Sequence, residues 1–290
     1  MKINQIRPLD CKYTKVLDCI ALKPKMLYYY GEWPTERIKT VAIVGSRKNT
    51  KYGEEIAYKL AYELAKRGVI VVSGLALGVD SIAARGALDA EGKTIAVLGT
   101  EIERIYPRQH IKLAEEIVGK GGVVASEYKM GDEVYPKVSF LMRNRIISGL
   151  ADAVVVIEAA RRSGTLNTAS HALTQGKDLY AVPGRMTDAM SAGCNYLISK
   201  GANPLLSVEE FVEYVAPRGK KKRGVEDQIS LFADTPEEKA VMRLMSEGIR
   251  DGDAIMEKLE MPIQVYNQVI TMLEIKGAIR PLGANTWVLA

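Results

Sequence analysis

Four short stretches carry residues able to do chemistry. Gly45-Ser46-Arg47 follows an apolar run; glycine lets a ligand approach the backbone, serine donates a hydrogen bond, and the planar fork of arginine matches phosphate oxygens. Ser73-Gly74-Leu75-Ala76-Leu77-Gly78-Val79-Asp80 follows the next run. Its glycines suit a loop that wraps an anion beside a helix start, where free N–H groups and the helix dipole favour negative charge. Ser163-Gly164-Thr165, with Arg161 and Arg162 just before it, offers a second helix-start anion site. Lys137, Phe140, Arg143 and Arg145 lie within one nine-residue stretch, and cations interleaved with an aromatic hold single strands by neutralising phosphates and stacking bases. Each stretch has a plainer use as well: a strand-to-helix turn, tight glycine packing, a helix cap, or a core Phe140 beside arginines in structural ion pairs.

Other chemistries find less support. The dinucleotide fingerprint GxGxxG, the Walker A loop and the Gly-x-Ser-x-Gly elbow are all missing. His171 has no evident nucleophile, and Asp80, Glu127 and Glu158 form no recognisable acid/base pair. Glu127 and Glu158, at strand ends, are expected to bridge to nearby arginines. Cys11, Cys19 and Cys194 lack metal-type spacing and only His110 and His171 could join them, so neither a metal nor a cofactor is expected. Forty basic against thirty-five acidic residues leave a net +5, which permits a polyanionic partner. No apolar stretch reaches the roughly 18 residues of a membrane span, and the start lacks a signal peptide's apolar block. A cytoplasmic protein with no membrane partner is expected.

The elements that must position these residues repeat one theme. Short apolar runs, Val41 to Val44, Val69 to Val72, Thr94 to Leu98, Val123 to Ala125, Ala153 to Ile157 and Asp178 to Val182, begin 25 to 30 residues apart. That is the cadence of strand-crossover-strand units, and near-continuous apolar strands belong to a parallel sheet covered on both faces, so the fold class is α/β and doubly wound. Ile56, Leu60 and Leu64, with Ala57, Ala61 and Ala65, make one helical stripe that Gly68 ends. Asp80 is expected to cap the helix Ser81 to Ala90, which Gly92 closes. Residues 1–40 are expected to pack on the sheet as an arm, and 41–215 form the main domain. A basic flexible linker spans 216–234 and includes Lys220-Lys221-Lys222-Arg223. Within 235–290, Thr235-Pro236-Glu237-Glu238 starts the first of three helices, near 236–246, 251–259 and 262–276. Ala278-Ile279-Arg280 and Trp287-Val288-Leu289 then pair as a hairpin, which completes a winged-helix plan.

Taken in order, Val41-Ala42-Ile43-Val44-Gly45-Ser46-Arg47, Ser73-Gly74-Leu75-Ala76 through Asp80, Tyr106-Pro107, Ser126-Glu127, Arg143-Asn144-Arg145-Ile146-Ile147, Ser163-Gly164-Thr165-Leu166, Val182-Pro183-Gly184 and the Gly193 to Ala202 stretch resemble the bacterial DNA-processing protein A family, also called Smf. The resemblance covers about residues 40–205. It implies a Rossmann-like, mainly parallel sheet and a non-enzymatic protein that binds single-stranded DNA, protects incoming strands during natural transformation and helps load a RecA-type recombinase. It also implies a homodimer. By the same resemblance Arg47, Ser73, Gly74, Lys137, Phe140, Ser163 and Gly164 contact the strand; the residue patterns add Gly78, Arg143, Arg145 and Thr165. The sequence departs from many relatives at Ala84 and Glu101, where histidine and glycine are common, and at Leu141, where a common proline is expected to shape the loop presenting Phe140.

Two other classes stay open. A nucleotide hydrolase resembling the cytokinin-activating phosphoribohydrolases shares the Gly-Thr helix start, but Leu166-Asn167-Thr168-Ala169 supplies no glutamate there. A winged-helix regulator would read duplex DNA with Ile263 to Lys276, a segment with Glu274 and a single lysine.

Overall fold

Alternation explains why the apolar runs become strands. In the computed structural model, which describes residues 2–217, 229 and 232–289, the chain divides into two compact units, Met1–Pro217 and Arg218–Ala290. In the first unit β3 (Thr40–Val44) is buried throughout: Val41 and Ile43 join one core, Ala42 and Val44 the other. A strand covered on both faces is apolar along its middle, and the polar Thr40 at its start is buried only with a partner, the Tyr13 hydroxyl 2.6 Å away.

The remaining strands of this unit are β1 (Asn4–Ile6), β2 (Leu27–Gly31), β4 (Ile70–Ser73), β5 (Thr94–Leu98), β6 (Val123–Ser126), β7 (Ala153–Val156), β8 (Asp178–Ala181) and β9 (Asn203–Pro204). Among the described residues they form one sheet in the order β1-β2-β6-β5-β4-β3-β7-β8-β9. From β6 to β9 neighbours run parallel, whereas β2 pairs antiparallel with β6 and β1 with β2. The segment expected as an arm lying on the sheet is therefore part of it. Tyr28 to Gly31 pair with Ser126 to Val123 and cover a backbone edge that would otherwise be bare.

Helices α1 (Lys51–Lys66), α2 (Val79–Asp89) and α7 (Val208–Val215) bury apolar residues in one core; α4 (Pro136–Leu150), α5 (Thr165–Thr174) and α6 (Ala192–Ser199) bury theirs in the other. The helix α3 (Ile111–Gly119) closes a smaller cluster over β5 and β6. At the start of α1, Thr50 Oγ1 accepts from Gly53 N–H at 3.2 Å, and Gly68 leaves the helix at φ +77°.

The second unit holds helices Pro236–Ser246, Gly252–Leu259 and Ile263–Ile275 and a hairpin of Ile279–Gly283 with Thr286–Leu289. Thr235 Oγ1 accepts from Glu238 N–H at 3.2 Å, and Glu238 Oε2 accepts from Thr235 N–H at 3.3 Å, a closed capping box. Val241, Ile255, Leu273 and Ile279 centre its core. The basic run Lys220 to Arg223 lies outside the described residues.

Candidate functional site

The strand order reverses at β3, which lies between β4 and β7, so the loops leaving β3 and β7 part from each other. A cleft of about 430 Å³ opens there, between the loop after β3, the start of α2, α4, and the turn before α5.

Its rim is cationic and aromatic. Arg47 and Lys48 are exposed, and the Arg47 guanidinium carbon stands 5.6 Å from the centre of the Phe140 ring. Tyr106 meets the same ring at 5.7 Å, tilted by 55°. Phe140 rides over Gly99, where a Cβ would come within 2.6 Å of its ring. Because residues 136–150 are helical, α4 and not a loop presents Phe140, and Leu141 continues that helix where a proline would remove an N–H. Lys137 is exposed on the same helix, beyond the cleft lining. Gly164 is exposed at the opposite wall; beside it Ser163 Oγ accepts from Thr165 N–H at 3.1 Å and Thr165 Oγ1 donates to the Gly45 carbonyl at 3.1 Å.

The floor is built from polar groups that satisfy one another. Arg143, 5% exposed, donates to the carbonyls of Gly74 (2.8 Å) and Val97, and its Nε donates to Asn144 Oδ1 at 3.2 Å. A Cβ at Gly74 would collide with that guanidinium, so the glycine makes its seat. Asp80 Oδ2 accepts from the N–H groups of Gly74 (3.1 Å) and Ala76 (3.4 Å). Burial pushes the Asp80 carboxyl up, with Arg143 and those N–H groups opposing. Burial likewise pulls Arg143 down to about 10, against the attraction of Asp80, which leaves it charged at neutral pH.

Several expectations change here. The Ser73 to Asp80 loop wraps an anion, but that anion is the protein's own Asp80. Asp80 consequently does not cap α2; Gly78 holds that place at φ +76°, where a Cβ would strike the Ser46 carbonyl, and Val79 N–H donates to that carbonyl at 3.2 Å. Ser73 turns into the sheet, its Oγ donating to the Ile43 carbonyl at 2.7 Å. Arg145 is buried and makes two bonds to Glu127, at 2.7 and 2.9 Å, away from the cleft. Among the described residues Glu158 pairs with no arginine; it sits at the start of α1, accepting from Thr50 N–H at 2.9 Å and Thr50 Oγ1 at 2.5 Å.

Of the residues singled out in the sequence, Arg47, Phe140, Arg143, Ser163, Gly164 and Thr165 meet in the cleft, and Gly74 and Gly78 shape its walls. Lys48, Asn144 and Tyr106 went unremarked as contacts. Lys48 was legible beside Arg47, whereas the contact of Tyr106 with Phe140, 34 positions away, has no signature in spacing. Among the described residues no group of three or more His, Cys, Asp or Glu side chains is placed to hold a metal, and no helix is long and apolar enough to cross a membrane.

A sequence profile described as DNA recombination-mediator protein A matches residues 4–216. The chain belongs to the DNA recombination-mediator protein A family. A second profile, of the DprA winged helix domain, matches residues 228–285, so the three helices and hairpin of the second unit are the family's winged helix. Relatives include DNA processing protein DprA of Streptococcus pneumoniae, 39% identical over 70% of this chain and 71% of its own length. Protein Smf of Escherichia coli is 42% identical over 66% of this chain; the match spans only 50% of that protein's length. The X-ray structure of the Streptococcus pneumoniae protein matches with TM-score 0.67 at 38% identity, covering 73% of this chain and 74% of that one. DNA processing protein A from Helicobacter pylori, whose structure was described for its single-stranded DNA binding mode, matches with TM-score 0.64 at 32% identity, covering 74% of this chain and 96% of that one. These matches place the family's α/β, Rossmann-like sheet in the first unit.

Proposed function

We propose that the first unit binds single-stranded DNA in the cleft at the strand ends, without catalysis and without reading sequence. The observation that carries this is the Arg47–Phe140 platform at the cleft mouth: a guanidinium 5.6 Å from an aromatic centre, with Lys48 beside it. An exposed cation neutralises a phosphate while the ring accepts a base, the pairing that holds unpaired strands whatever their sequence. The Helicobacter pylori relative, described with its single-stranded DNA binding mode, supports the same ligand. The wider role, protection of incoming strands and loading of a RecA-type recombinase by a homodimer, rests on family membership.

The test is fluorescence anisotropy of a labelled oligonucleotide, single-stranded against duplex, at two salt concentrations. Single strands are expected to win, with affinity falling steeply as salt rises. Arg47→Ala should weaken binding severalfold and flatten the salt slope by about 0.7 for the lost phosphate. Phe140→Ala should cost about 1–3 kcal/mol, the worth of one base stack. A duplex preference, or binding untouched by Arg47→Ala, would overturn the reading.

A further inference from the structure

A cleft of about 430 Å³ is the size of a small-ligand site and much shorter than a nucleic-acid strand, so a strand seated in it must leave across its rim. One wall is the segment that continues from β7. Ala160 lines the cleft, and the next residue, Arg161, turns outward and lays its guanidinium 4.9 Å from the centre of the Tyr196 ring on α6. Lys200 Nζ stands 5.8 Å from the same ring. The two elements are locked together: Gly193 N–H donates to the Ala159 carbonyl at 2.7 Å, and a Cβ at Gly193 would crowd the Ala159 and Ala160 carbonyls. Tyr196, Arg161 and Lys200 are all exposed.

The charge arrangement separates this cluster from an ordinary solvated face. Several cations of the unit find carboxylates, Lys59 with Glu209, Arg67 with Glu213 and Arg145 with Glu127, while Lys66 and Lys129 each stand over a tyrosine ring as single cations. Among the described residues neither Arg161 nor Lys200 is in an ion pair; both converge on one exposed ring. The combination repeats that of Arg47 and Phe140.

We propose that Tyr196, with Arg161 and Lys200, is a second contact station for single-stranded nucleic acid, taking one base on the ring and the flanking phosphates on the two cations as the strand leaves the cleft. The station rests on the reading of the cleft as a strand-binding groove. It extends the bound length, so it matters only to strands that outrun the cleft.

The test uses the full chain and labelled oligothymidylates of two lengths, one confined to the cleft and one several nucleotides longer. Tyr196→Ala is expected to leave the affinity for the short strand unchanged and to lower that for the long one about fivefold or more, the low end for loss of a base stack. Tyr196→Phe should retain binding. Arg161→Ala should reduce the long strand's salt slope by about 0.7 and leave the short strand's slope alone. In the unaltered protein, a long strand carrying 5-iodouracil should photo-crosslink to the peptide containing Tyr196, a readout that does not depend on any variant folding. Equal long-strand affinity in Tyr196→Ala together with no crosslink there overturns the station; if Arg47→Ala still weakens both lengths, the cleft reading survives. Failure of the unaltered protein to bind either length overturns both.

Discussion

Arg47 and Arg143 approach the same ring, at 5.6 and 6.0 Å from the centre of Phe140, yet one is exposed and the other is 5% exposed. Arg143 spends its donors on the Gly74 and Val97 carbonyls and has Asp80 as its countercharge. Arg47 keeps its fork at the mouth of the cleft. The rim is thus made of groups held ready for something outside the chain, and the floor of groups that complete one another. The second unit follows the floor: Lys276, at the end of its Ile263–Ile275 helix, is bound by Asp234 at 2.7 Å and Glu238 at 2.8 Å. A cation's exposure and its lack of an acidic partner, more than its place in a motif, mark it for a polyanion.

The strongest way to break this contrast is Asp80→Ala. It leaves the Arg143 guanidinium buried without its opposite charge and frees two N–H groups, and is expected to cost about 3–5 kcal/mol in chemical unfolding of the first unit. A loss below about 1 kcal/mol would mean the floor is not held by this pair. Next comes Glu238→Ala, which removes both the capping acceptor and one of the two acidic partners of Lys276; the second unit should melt lower by about 4–8 °C, the scale for one such interaction in a small domain. Burial pushes the Glu238 carboxyl up, but Lys276 and the N–H groups of Asp234 and Thr235 outweigh it and hold it below its ordinary 4.5. A depressed carboxyl stabilises above its ordinary value and loses that stabilisation as pH falls through the lowered one. The gap between unaltered protein and variant should therefore be full at pH 7 and narrow below pH 4.5. Single-strand affinity should not change; a loss would assign the second unit a direct part in binding. The smallest effect is expected from Ser73→Ala, about 1 kcal/mol of stability for a lost internal hydrogen bond with unchanged affinity. Weakened binding there would return Ser73 to the strand contacts.

The sheet was legible because burial on both faces leaves a continuous apolar run, and Thr94–Leu98 matches its strand end to end. The edge strands were not, because Leu27 to Gly31 carries three tyrosines and gains its place only by pairing with β6, about a hundred residues later. At the site, Arg47 and Phe140 were readable from residue type and neighbours. Ser73, Asp80, Arg145 and Glu158 were not, since a polar group reads alike in sequence whether it faces a ligand or the protein's own backbone and side chains. Asp80 carried a hint: six residues after Gly74, it can close a loop back on itself.

The carboxyl group of Asp80 also bears on what else enters the cleft. It already takes the N–H groups of Gly74 and Ala76 that a bare loop would offer to a phosphate. A polymer is less troubled, because it is retained by the sum of many weak contacts and not by any one deep seat. The Asp80 side chain thereby closes this loop from the inside, and leaves contact with any outside anion to the exposed cations of the rim.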